Sequence, residues 1–332
     1  MNDRERLLLE WLDAVLPVPP ARIAPASSDA SFRRYFRVWY DGRTRIVMDA
    51  PPDKEDCRPF VAIAQAMRGL GLNVPEVLTG DLDRGLLLLT DLGNRQYLAE
   101  LDARSVHGLY GDALDTLARL QAGGDPGSPL LPPYDSALLH REMDLFRDWF
   151  LGRLLGLDLR EDEQQVLDHA FALLADNALQ QPRVWVHRDY HSRNLMVTDP
   201  DNPGVLDFQD AVVGAVTYDL VSLLRDCYIA WPRGQVEFWA LAHRDRLRAL
   251  GMSGLDDAGQ FLRWFDLMGV QRHLKAIGIF ARLNLRDGKP GYLRDIPRTL
   301  NYVLAVADRY PDLAGLRVLL LERGVDRWEA TP

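Results

Sequence analysis

A chain of 332 residues, 47% of them apolar and 26% charged, has enough material for a large buried core. Its net charge of −9 and pI near 5.3 argue against a nucleic-acid binder, and its two cysteines, Cys57 and Cys227, lie too far apart to suggest a metal motif. A reduced, cytoplasmic setting is the simplest expectation, with no signal peptide or anchor in the charge-mixed residues 1–16, no membrane span and no obligate protein partner.

In chain order, Leu7, Leu8, Trp11, Leu12 and Val15 recur at helical spacing, which predicts a helix over 4–16, ended by ProValProPro at 17–20. Strands are expected over 32–40 and 43–50, joined through Asp41 and Gly42, a strong hairpin signal. A helix over 56–70 and strands over 76–78 and 85–90 follow. From 93 onward the pattern is mostly helical, with helices expected over 105–121, 140–155, 161–179, 218–228, 235–250, 256–283 and 297–307. The turn-rich residues 123–133 read as a loop inside this helical part. The fold class is therefore α+β: a small N-terminal lobe with an antiparallel sheet and one main helix over 1–92, and a larger, mostly helical lobe over 93–332.

The densest chemistry lies at 187–195, HisArgAspTyrHisSerArgAsnLeu, followed by AspPheGlnAsp at 207–210. Asp189 precedes Asn194 by five residues, and Asp207 comes after the apolar pair Val205 and Leu206. Protein kinases use this order for phosphoryl transfer, with the first Asp serving the acceptor hydroxyl and the Asn and later Asp holding Mg²⁺. Magnesium takes few protein ligands, all oxygen, so Asn194 and Asp207 make a plausible half-shell. Apolar runs before Asp189, after Asn194 and before Asp207 predict short strands that hold these groups at their ends.

The nucleotide side is less typical. The turn at 27–31, with Ser28, Asp29, Ala30 and Ser31, stands where a phosphate-covering loop belongs, although it lacks glycine. Met48 or a neighbour occupies the strand position where kinases carry a lysine; Arg43, Arg45 or Lys54, the last with Glu55 as a partner, are the alternative sources of charge. The strand over 86–90 runs into a hinge-like segment where Asp91 and Leu92 offer backbone groups to adenine.

SerSerAspAlaSerPheArgArgTyrPheArg at 27–37, ValMetAspAlaProProAspLysGluAsp at 47–56, the 187–196 and 206–211 segments, and ThrTyrAspLeuValSerLeuLeuArgAspCysTyr at 217–228 resemble the aminoglycoside phosphotransferase and choline kinase superfamily. Within it they are most similar to the bacterial N-acetylmuramate/N-acetylglucosamine anomeric kinases of cell-wall recycling. The resemblance implies a protein-kinase-like two-lobe fold and transfer from ATP, with Mg²⁺, to the anomeric hydroxyl of an amino sugar. It also implies that the missing strand lysine belongs to the branch. An arginine aimed at the lactyl carboxylate of N-acetylmuramate is then expected, with Arg225, Arg272 and Arg282 as candidates, and Asp210 as a further sugar contact. Asp219 is expected to cap the helix that follows it, and His187 and Tyr190 to be scaffold. A kinase for another hydroxylated metabolite or an aminoglycoside, and a non-catalytic nucleotide-binding scaffold, are the competing readings.

Overall fold

The computed structural model describes residues 3–27 and 32–329. The expected phosphate-loop residues Ser28, Asp29, Ala30 and Ser31 lie outside the described residues. The chain forms two compact units, one of residues 1–109 with 194–209, the other of 110–193 with 210–332.

The first unit is built on a five-stranded antiparallel sheet in the order β1-β2-β3-β5-β4, with β1 Arg22–Ser27, β2 Arg34–Tyr40, β3 Arg43–Asp49, β4 Val77–Asp81 and β5 Leu86–Thr90. The β2–β3 hairpin closes with Asp41 at φ 47° and Gly42 at φ 68°, the paired left-handed conformations that made Asp-Gly a turn signal. Helix α1, Asp3–Val15, lays Leu8, Trp11 and Leu12 against Val38, Val47, Leu86 and Leu88. This is the face that its apolar spacing defined. Helix α2, Arg58–Gly69, buries Phe60, Ile63, Ala64 and Met67, and a short helix α3, Tyr97–Glu100, follows β5. Sequence patterning missed β1 because Pro25 sits within it; at the sheet edge, with a bulge between Pro25 and Ser27, the absent N–H is tolerated.

In the second unit, helix α4 (Val106–Gly123, which begins in the first unit) and helix α5 (Ser136–Leu145) precede a π-helical stretch Phe146–Leu154 and helix α6, Glu161–Leu179. Strand β6, Arg183–Val186, pairs antiparallel with β9, Val212–Ala215, which was not anticipated. Between them in sequence, β7 (Leu195–Met196) and β8 (Gly204–Val205) form a short pair that belongs to the first unit. Helices α7 (Tyr218–Leu224), α8 (Arg233–Ala249), α9 (Ala258–Asp287), α10 (Ile296–Arg309) and α11 (Ala314–Glu322) complete the chain. Helix α9 is buried along most of its 30 residues and packs on α5, α6, α7, α10 and the π-helical stretch. Its crossing is made possible by Gly278, where an added Cβ would lie 2.3 Å from the Leu145 carbonyl carbon and 2.5 Å from Phe146 N. Both obstacles are backbone and cannot rotate away. Gly278→Ala is therefore expected to destabilise the protein by about 2–3 kcal/mol, read as a lowered chemical-denaturation midpoint. An unchanged midpoint would mean that the helices separate freely.

Candidate active site

Asn194 and Asp207 flank the same end of the β7–β8 pair, one just before β7 and the other two residues after β8. Leu206 N donates to Asn194 O at 2.9 Å, so the backbone ties the two ligand positions together directly. Val205 N donates to Asn73 O at 2.8 Å and Val197 N to Arg95 O at 2.7 Å, anchoring the pair on both sides. Phe208 is fully buried with its ring 4.7 Å from that of Phe60 on α2, which fixes the residue after Asp207. Asp207 itself adopts φ 64°, a left-handed conformation that costs a non-glycine residue about 1–3 kcal/mol and is typically kept where function requires it.

The carboxylate of Asp207 accepts from Asn194 Nδ2 at 3.3 Å and from Gln209 Nε2 at 2.7 Å. Two neutral amides thus orient an anionic oxygen pair. Among the described residues no cluster of three or more His, Cys, Asp or Glu side chains is placed to hold a metal by itself. One carboxylate and one amide oxygen fit a hard cation that draws its other ligands from phosphates and water. The sequence expectation of a metal half-shell at these two residues therefore has matching donor chemistry.

Asp189 lies in the second unit, on a loop held by its backbone. His187 N donates to Asp219 Oδ2 at 2.6 Å and Arg188 N to Asp219 Oδ1 at 2.9 Å, so one buried carboxylate grips two consecutive amides just before Asp189. This corrects the expectation that Asp219 caps its own helix: it sits in the first turn of α7, and the N-cap residue, Thr217, makes no side-chain capping bond. Burial pushes the Asp219 carboxyl up to about 7, against the opposing pull of the two N–H donors. Arg188, at φ 76°, is the second strained residue of the motif. Tyr190 anchors the far side of the loop, its hydroxyl donating to Ala113 O at 2.8 Å, in line with a scaffold role.

Arg188 forms an ion pair with Glu142 on α5. Glu142 also meets Lys275 Nζ at 3.1 Å and the Tyr134 hydroxyl, while Lys275 donates to the Tyr218 hydroxyl at 3.0 Å. Burial alone would raise the Asp189 carboxyl, yet the positive fields of Lys275, His191, Arg272 and Arg188 outweigh it and hold the group at about 2. Asp189 is thus an anion throughout the neutral range, and it contributes no acid limb to activity above about pH 4. Removing the strongest of those fields with Lys275→Met raises this pKa, so the acid limb of kcat/KM is expected to move to higher pH in that variant. An unmoved profile would show that Lys275 does not tune Asp189. Sequence patterning could not reveal Glu142, Lys275 or Asp219, since each acts through contacts with residues distant in the chain.

On the nucleotide side, Met48 is fully buried in β3, opposite Tyr35 and Leu87. The Asp91 carboxylate pairs with Arg37 at 2.7 Å and accepts from Gly93 N at 3.0 Å, so its side chain shapes the segment containing Leu92. Glu55 pairs with Arg33 at 2.8 Å, whereas Lys54 is exposed and 3.5 Å from Asp53. The expected Lys54–Glu55 partnership is therefore replaced by one with Arg33, a residue the sequence reading passed over. Arg45 donates to Thr44 O at 2.7 Å, and Asp49 at the end of β3 is fully buried between Arg4 and Arg34.

Among the sugar-side candidates, Arg225 is buried and donates to Asp266 at 2.6 Å, which commits it to an ion pair within the helical unit. Arg282 is half-buried on α9, and Asp210 is exposed with its carbonyl accepting from Arg188 Nη1 at 3.2 Å. Arg272 is buried and is one of the cations acting on Asp189.

Residues 22–264 match the model of the phosphotransferase enzyme family. The chain belongs to that family. It is 49% identical over 321 residues to the N-acetylmuramate/N-acetylglucosamine kinase of Pseudomonas aeruginosa, covering 93% of this chain and 94% of the relative. The kinase of the same name from Pseudomonas putida is 47% identical over 329 residues, with 96% of each chain covered. In fold it is similar to the ADP-bound aminoglycoside phosphotransferase APH(2'')-Ib, with a TM-score of 0.59 at 16% identity, over 91% of this chain and 98% of that one. The antiparallel-sheet N-terminal part and mostly helical remainder are thus those of a kinase-like phosphotransferase. Among the described residues no helix is long and apolar enough to cross a membrane.

Proposed function

We propose that this phosphotransferase uses ATP and Mg²⁺ to phosphorylate the anomeric hydroxyl of N-acetylmuramate, N-acetylglucosamine or both, giving the sugar 1-phosphate in the cytoplasm, for re-use in UDP-activated sugars. The observation that carries this reading is the Asp189 carboxylate, kept ionised by the charges of Lys275, Arg272 and Arg188 on a loop gripped by Asp219. The near-full-length similarity to amino-sugar kinases supports the choice of acceptor.

In this reading, residues 1–92 carry the nucleotide, with Ser28, Asp29, Ala30 and Ser31 as its phosphate loop, Met48 at the strand position where kinases carry a lysine, and the backbone of Asp91 and Leu92 serving the base, and residues 93–332 carry catalysis and the sugar. Asn194 and Asp207 would hold the metal, which when bound offsets phosphate charge and aligns the transferring group. Asp189 accepts a hydrogen bond from the anomeric hydroxyl and so points its oxygen at the γ-phosphorus. A bond forms between that oxygen and phosphorus, and the bond from phosphorus to the oxygen bridging to ADP breaks. A carboxyl at about 2 is a weak base, so it takes the hydroxyl proton late, once bonding to phosphorus has acidified it. Orientation before proton removal is its main contribution. Among the arginines, Arg272 is the best placed to meet an acidic substituent; Arg225 would act on the sugar only by leaving its ion pair with Asp266, and Arg282 and Asp210 are further candidates for sugar contacts.

The test is phosphorus NMR of the protein with ATP, Mg²⁺ and either amino sugar. The expected result is a new sugar 1-phosphate resonance, with ADP formed one for one. ATP left intact across both sugars would overturn the reading.

A further inference from the structure

A kinase of small molecules needs an acceptor surface, and the helical unit contains polar groups that no contact described so far explains. The buried side-chain atoms of that unit without a hydrogen-bond partner include Ser192 Oγ, Arg272 Nε, Asp295 Oδ2 and Tyr302 Oη. The residues Ser192, Arg272 and Asp295 are 0%, 5% and 6% exposed. Leaving a buried polar atom unsatisfied is costly, so four gathered in one region call for a ligand or water to satisfy them.

They do gather, around residues 226–228. Ser192 N donates to Asp226 Oδ2 at 2.9 Å, and Arg272 Nη1 lies 3.7 Å from Cys227 Sγ. Arg298 donates to Cys227 O at 2.8 Å and lies 3.5 Å from Asp295 Oδ1. The charge of Asp226 acts on Arg272, on Asp295 and on Tyr302 alike. Aromatic rings border the same region: the guanidinium of Arg193 sits 3.7 Å over the Tyr228 ring and 5.6 Å from that of Tyr292, both half-buried. Arg272 also acts on Asp189, so the cluster adjoins the carboxylate that serves the acceptor. Dense hydrogen-bonding groups against aromatic rings match a sugar, whose hydroxyl and amide edge alternates with apolar C–H faces.

We propose that Ser192, Arg272, Asp295 and Tyr302, bordered by Tyr228 and Tyr292, form the acceptor-sugar subsite, in which Asp295 accepts from the acetamido N–H or a ring hydroxyl. This rests on the amino-sugar kinase reading above. The test is steady-state kinetics with N-acetylglucosamine and ATP on the wild type, Asp295→Asn and Tyr302→Phe. Loss of one hydrogen bond to a charged acceptor predicts a rise in sugar KM of about tenfold or more for Asp295→Asn, and about fivefold for Tyr302→Phe. The KM for ATP stays within about twofold in both, an asymmetry that general loosening of the fold would not give. Should Asp295→Asn fail to fold, Tyr302→Phe carries the test, since it removes only a hydroxyl that has no partner. Unchanged sugar KM in a folded variant, with an active wild type, overturns the subsite alone and assigns these atoms to buried water. A wild type inactive on both amino sugars overturns the kinase reading and the subsite with it.

Discussion

Asp189→Asn is expected to lower kcat by about 10²- to 10⁴-fold, the span associated with loss of a positioned acid–base group. The substitution keeps the shape of the side chain and removes its charge, so the amide presents its hydrogen-bonding groups less favourably to a hydroxyl and cannot take the proton. Nucleotide affinity, measured by calorimetry, should stay within about threefold, because the proposed metal ligands Asn194 and Asp207 are untouched. Stability should respond in a pH-dependent way. The Asp189 carboxyl is depressed to about 2 by its cationic neighbours, so its ionised form stabilises the folded state above the ordinary carboxyl pKa of 3.8. That contribution disappears as pH falls from about 4 to about 2. The variant should therefore melt below the wild type at neutral pH and converge with it in acid. A variant with near wild-type turnover would remove Asp189 from the reaction.

The second large effect concerns Asp207. Its carboxylate is the anionic member of the proposed metal half-shell, and the Asn194 amide already meets it at 3.3 Å. Asp207→Ala should weaken ATP binding in the presence of Mg²⁺ by more than about 100-fold and abolish the dependence of that binding on Mg²⁺. Gln209→Leu, which only removes the amide steadying the other carboxylate oxygen at 2.7 Å, should cost about tenfold. Equal Mg²⁺ dependence in wild type and Asp207→Ala, followed by titration calorimetry, would contradict the assignment. The left-handed backbone at Asp207 adds a further expectation: Asp207→Gly, which relaxes that strain, should be as inactive as the alanine variant while being no less stable.

What the sequence made legible was what is local. The amphipathic spacing in α1 and the Asp41 and Gly42 turn each reside in one short segment and each met a definite physical requirement, and the order Asp189, Asn194, Asp207 is likewise read along a single stretch of chain. The structure added what depends on distant partners. β1 was hidden by Pro25, whose missing N–H is harmless only at a sheet edge. β9 was hidden because Val212–Ala215 is a short, fully buried apolar run whose partner, β6, lies some way upstream. Asp219 looked like a helix cap because its position in the first turn of a helix is where caps and dipole-matching carboxylates occur. Its grip on His187 N and Arg188 N emerges only once the loop is folded back on α7. Glu142 and Lys275 likewise look like ordinary helical charges in sequence, and only their shared burial with Arg188 links them to Asp189.

The absent strand lysine follows the same logic. Around β2 the chain instead carries paired guanidinium groups, with Arg33 on Glu55, Arg34 on Asp49 and Arg37 on Asp91. These pairs fix the ends of the β2 region through planar, multi-donor contacts that a lysine would not supply.

The most direct test of the central claim follows the oxygen that attacks phosphorus. N-acetylglucosamine labelled with ¹⁸O at C1 should yield, with ATP and Mg²⁺, a single phosphate ester whose ³¹P resonance carries the isotope shift of one bonded ¹⁸O. An unshifted ester resonance would place the phosphoryl group on another hydroxyl, and transfer to the anomeric oxygen would be excluded.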